Sequence, residues 1–113
     1  MVRLCNLVLA EAIRSAATEV RLSSAPERYE VSYCIDGEWR PVMKVPLQAG
    51  VQLVNRLRVM ASLDRTSRAR GEGTLGVTLD GAAVAFSLRL EPADPGREHA
   101  VLRRHLPPPG AAV

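Results

Sequence analysis

Aromatic side chains are scarce in this 113-residue chain: Phe86, Trp39, Tyr29 and Tyr33 are the whole set. An interior must therefore be built from Val, Leu, Ile, Met and Ala, and few rings are left to act as stacking platforms for bases. Lys44 is the one lysine among 15 basic residues, the rest being arginine. The two cysteines, Cys5 and Cys34, have neither CxxC nor metal-ligand spacing, so they read as small buried hydrophobes. His99 and His105 have no Cys or His at ligand spacing either, and no metal or other cofactor is expected. No apolar run approaches the roughly 18 residues a membrane helix needs. The run Leu7 to Ala10 is too short for the core of a signal peptide and is followed by Glu11. The expected location is the cytoplasm.

Catalytic signatures are missing as well. There is no GxxxxGK[ST] phosphate loop and no GxSxG elbow. Gly71, Gly73 and Gly76 are glycine-rich but lead into a strand pattern, so they offer no helix N-terminus to a pyrophosphate. Glu27 and Glu30 flank a turn and read as solvated. The expectation is a protein that is not an enzyme.

What is present is ordinary globular composition, 47% hydrophobic and 24% charged, in a length that suits one domain. Residues 4–18 predict a helix, with Leu9, Ile13, Ala16 and Ala17 on one face. Val20 and Leu22 alternate with polar residues as a short strand. Tyr29, Val31, Tyr33 and Ile35 form a second, which runs into Asp36-Gly37, a strong signal for a two-residue hairpin because both turn positions require positive φ. The return strand, Glu38 to Lys44, contains Pro41 and is therefore expected at a sheet edge. Pro46 to Gly50 reads as a connector, and 51–63 as a second helix with Val51, Val54, Leu57 and Ala61 on a stripe. Arg65 to Gly73 reads as a polar loop. Leu75, Val77 and Leu79 lead into a second turn, Asp80-Gly81, and a return strand, Ala82 to Leu90, with Val84, Phe86, Leu88 and Leu90 inward. Glu91 to Gly96 reads as a loop and 98–104 as a last strand. The fold class expected is α+β, a mainly antiparallel sheet with two helices on one face. Residues 1–105 form the domain and residues 106–113 a proline-rich tail.

Charge is unevenly placed. Arg56, Arg58, Arg65, Arg68 and Arg70 against Asp64 concentrate positive charge in a short stretch, while the net charge of the whole chain is only +3. Such a patch suits an anionic partner, whether a phosphate, a nucleic acid or an acidic protein face. A solvated helix face and loop would carry the same charge with no partner at all.

The segment Leu53 to Asp64 (LVNRLRVMASLD) resembles the basic helix in the PAS-like N-terminal domain of type II secretion and type IV pilus assembly ATPases. Around it, Leu9 to Leu22 is similar to that family's opening helix and first strand, Tyr33 to Gly37 (YCIDG) to its first hairpin tip, and Gly96 to Arg103 to its closing strand. The resemblance covers residues 4–105. It implies a PAS-like fold and an arginine-bearing loop, in which Arg68 stands at the place of the family's first loop arginine. Thr74 stands at that of its second, and Arg21 to Ser24 replace the family's HIEP segment. The RecA-like ATPase domain that follows in the family has no counterpart within these 113 residues. The resemblance thus implies a non-catalytic protein–protein interaction module. It would dock on a secretion, pilus or motility component, such as a secretion or pilus ATPase, through Arg56, Arg58, Arg65, Arg68 and Arg70. A small basic nucleic-acid-binding domain using the same patch is the alternative, disfavoured by the modest total charge.

Overall fold

A computed structural model describes residues 2–61, 71–93 and 97–105. Helix α1 (Val2–Arg14) buries Cys5, Val8, Leu9 and Ala12, a spacing that places one side of the helix on the core. It ends four residues earlier than its alanine-rich sequence predicts. Ala16 takes φ 58°, its N–H donates to Ile13 O at 3.1 Å, and the Ala17 N–H donates to Ala12 O at 2.9 Å. This is the paired closure of a Schellman motif, built on alanine where glycine is usual. Ala17 is buried beyond the helix, where the chain turns into β1.

Among the described residues six strands follow: β1 (Glu19–Ser24), β2 (Arg28–Ile35), β3 (Glu38–Pro46), β4 (Glu72–Leu79), β5 (Ala82–Pro92) and β6 (Glu98–Arg104), with helix α2 (Leu47–Met60) between β3 and β4. They form one sheet in the order β3-β2-β1-β6-β5-β4, antiparallel at every pairing. The α+β class expected from the alternating patterns is therefore the one observed. Both hairpin tips are two-residue turns in the left-handed region: Asp36 and Gly37 at φ 52° and 79°, Asp80 and Gly81 at 52° and 80°. β3 is an edge strand, as Pro41 requires. A bulge where β2 passes from Val31 to Ser32 lets Val42 drop out of the register.

Three further boundaries differ from expectation. α2 begins at Leu47 rather than 51, directly after Pro46 (φ −55°, ψ 150°), so the supposed connector is its first turn. Gly50, which made that stretch look like a loop, is there for space. A Cβ on it would lie 2.2–2.6 Å from carbons of the Tyr29 side chain. Glu72 and Gly73 belong to β4 rather than to a loop, because Gly73 faces Leu88 and Gly71 O accepts from the Leu90 N–H. Glu91 and Pro92 extend β5, opposite His99 and Glu98.

One face of the sheet contributes Val20, Leu22, Tyr29, Val31, Tyr33, Val45, Leu75, Val84, Phe86, Leu88, Leu90, Ala100 and Leu102 to a single core. From α2 come Leu53, Val54, Leu57 and, just beyond its end, Ala61. Leu57 and Phe86 are almost wholly buried, as their mid-face positions predict. Tyr33 Oη donates to Val8 O at 2.6 Å, fastening α1 to β2. Among the described residues no helix is long and apolar enough to cross a membrane.

Candidate functional site

The candidate arginines begin on the last turns of α2. Arg56 and Arg58 are two residues apart, and at 3.6 residues per turn that sends them to opposite flanks of the helix. Arg56 is half-buried on the flank toward α1, close enough to Cys5 for its charge to act on the thiol. Burial pushes the Cys5 thiol up and the Arg56 guanidinium pulls it partly back. The Cys5 Sγ lies 3.7 Å from Met60 Sδ, in a contact between the two helices.

Arg58 goes the other way and is largely sequestered. Its Nη2 donates to Glu98 Oε1 at the start of β6, and its side chain is only 13% exposed. Glu98 is anchored in turn, since Tyr29 Oη donates to its backbone oxygen at 2.8 Å. The Arg58 Nε is buried and has no partner among the described residues. Arg58 thus ties the end of α2 to β6 and shows solvent little of its charge. Arg65, Arg68 and Arg70 lie outside the described residues, as do residues 106–113, expected from the sequence to be a proline-rich tail. A single projecting surface for all five arginines is therefore not what α2 presents: its two members diverge, one of them into an ion pair.

A second polar surface escaped the sequence pattern. The face of the sheet away from the helices carries Trp39, Cys34, Glu19, Arg103, Ser87 and Thr74 in one row across all six strands. The next row contains Ser32, Arg21, Val101, Arg89 and Glu72. Two of this face's arginines pair with carboxylates on the same face. Arg103 approaches Glu19 at 3.6 Å and Arg89 approaches Glu91 at 3.1 Å. The Arg21 guanidinium sits 4.3 Å from the centre of the Trp39 ring, a cation–π contact that leaves the indole 38% exposed. Two shallow depressions mark this face. One of about 470 Å³ runs past Glu19, Glu72, Ser87, Arg89 and Arg103. The other, of about 280 Å³, lies between Arg21, Ser23, Glu91, His99 and Val101. Each strand's alternation gave the parity of these residues, but which strands lie side by side depends on the β1–β6 pairing, which no local pattern announces. Among the described residues no group of three His, Cys, Asp or Glu side chains is placed to hold a metal ion.

Residues 1–109 match the family model described as type II/IV secretion system protein. The chain belongs to that family. Among its relatives, the type II secretion system protein E of Pseudomonas aeruginosa is 33% identical over 104 residues, covering 91% of this chain and 20% of that protein. The protein of the same name from Klebsiella pneumoniae is 29% identical over the same length. The type IV pilus assembly ATPase PilB of Myxococcus xanthus is 34% identical over 68 residues, 60% of this chain and 12% of that one. This secretion-family chain thus spans about a fifth of the length of the secretion proteins it matches, in their N-terminal part.

Proposed function

We propose that this chain is a non-catalytic protein–protein interaction module of a secretion, pilus or motility machine, acting in the cytoplasm and docking on a partner such as a secretion or pilus ATPase. The observation that carries the reading is the extent of the match: it lies in the N-terminal part of proteins named for secretion and pilus assembly. In this reading residues 1–105 are the docking domain and 106–113 a tail. Arg56 on α2 and Arg65, Arg68 and Arg70 in the segment after it form the contact, because arginine forks pair well with carboxylates. Arg58, held by Glu98, sets the angle at which the end of α2 is offered.

The test is binding of the purified chain to a purified secretion or pilus ATPase. Arg68→Glu is expected to weaken that binding by about 2 kcal/mol, as for a lost interfacial charge pair. It should change folding stability by less than about 0.5 kcal/mol. Thr74, exposed on β4, should tolerate substitution in the same assay. Binding to oligonucleotides that ignores sequence and falls steeply with salt would replace this reading with the nucleic-acid one. ATP turnover by the pure chain that vanishes on a point mutation within it would overturn the non-catalytic part.

A further inference from the structure

The two edges of the sheet are built differently. β3 lacks backbone donors at Pro41 and Pro46, is bulged at Val42, and carries Arg40 and Lys44. These are the devices by which natural sheets stop another strand from adding to them. β4 has none of them. Its eight residues, Glu72 to Leu79, contain no proline and no basic side chain, and its register with β5 runs unbroken from Glu72↔Arg89 to Leu79↔Ala82. Among the described residues no strand pairs with its other side.

The hydrogen-bond parity of that free side follows from the ladder. Gly71 O accepts from the Leu90 N–H, and antiparallel pairs alternate, so Gly73, Leu75, Val77 and Leu79 bond toward β5. Glu72, Thr74, Gly76 and Thr78 therefore aim their N–H and C=O groups outward, and all four residues are exposed.

We propose that β4 is a homotypic docking edge, which takes the β4 strand of a second copy of this chain in antiparallel register about Leu75. The sequence is self-complementary in that one register. Thr74 falls opposite Gly76, and Glu72 opposite Thr78, each twice by symmetry, so all four outward-facing residues are paired. No like charges oppose each other. On the helix side Leu75 meets its own counterpart and half-buried Val77 meets Gly73, so the apolar face continues across the junction. A two-fold axis perpendicular to the sheet keeps both helix layers on one side and joins the two sheets into one. One added strand buries little surface, so the association is weak and concentration-dependent.

Sedimentation equilibrium of the full chain, from micromolar to millimolar concentration, should show a reversible monomer–dimer equilibrium. Gly76→Pro removes one outward N–H without touching a bond to β5, and a Cβ there meets nothing within 4 Å. It is expected to leave the monomer folded and abolish the dimer. The register is read by charge at an exposed position: Thr78→Lys, opposite Glu72, should tighten the dimer and Thr78→Glu should loosen it, each by about threefold or more. A chain that stays monomeric at millimolar concentration overturns the proposal, as does a dimer indifferent to Gly76→Pro while that variant is folded by circular dichroism. A dimer that Thr78→Lys and Thr78→Glu shift equally, or in the reverse sense, overturns the register about Leu75.

Discussion

The β2–β3 and β4–β5 hairpins turn on the same dipeptide, Asp-Gly, at nearly the same dihedral angles, yet they finish the sheet in opposite ways. β3 carries two prolines, a bulge and a stacked Trp39; β4 is regular and unbroken. The comparison separates two jobs that a hairpin does. Turn chemistry reverses the chain, and the two turns are interchangeable in that respect. What the outer strand then offers to solvent is decided residue by residue and owes nothing to the turn.

The hairpins also reach the core differently, and the largest expected effects test that. Phe86 on β5 is fully buried, and Phe86→Ala should cost about 3–5 kcal/mol in denaturant unfolding. On the β2 side Gly50 of α2 packs closely against the Tyr29 side chain. Gly50→Ala should destabilise by about 1–3 kcal/mol through overpacking, against the usual gain of alanine in a helix. A neutral Gly50→Ala would mean that the ring gives way and that the two sides are equally soft.

The turns themselves should behave alike. Gly37→Ala and Gly81→Ala each place a Cβ in left-handed backbone with open space around it, so each should cost about 1–2 kcal/mol by strain alone. A clear difference between them would show that the prolines and bulge of β3 load its turn. High pH separates the hairpins in a further way, because only β2 anchors a helix through a phenol. Burial, with the Glu11 charge adding to it, pushes Tyr33 from 10.0 up to about 12. Its neutral form is therefore favoured in the folded state, and the unfolded chain loses the proton first. Stability should be intact below about pH 10 and fall as pH rises through 10 to 12. Tyr33→Phe should flatten that part of the stability–pH profile. The smallest effect belongs to the surface: Trp39→Leu loses the Arg21 stack and should cost no more than about 1 kcal/mol.

Much of this architecture is legible in the sequence, for identifiable reasons. The hairpin tips are, because left-handed φ leaves few residue choices, and so is the edge position of β3, because proline lacks a donor. The end of α1 is hidden, since its left-handed cap is Ala16 and alanine announces no stop. The start of α2 is disguised by Gly50, which is small for Tyr29's sake, a partner on another element. The candidate site divides along the same line. The arginine cluster is visible as charge in sequence, but the engagement of Arg58 by Glu98, 40 residues away, is a tertiary fact. So is the row of polar residues on the outer face, which exists only once β1 lies beside β6.

That β1–β6 pairing also sets the order of events during synthesis. The two hairpins are local and can close within microseconds. β1 waits: Val20 faces Tyr33 on one side but Leu102, far along the chain, on the other. Until β6 has left the ribosome, one flank of the most central apolar strands is unpaired, and the late, long-range closure makes folding slow for a domain of this size. A nascent or C-terminally nicked chain would therefore expose a sticky interior edge. β6, seated between β1 and β5, is the strand whose arrival closes that edge.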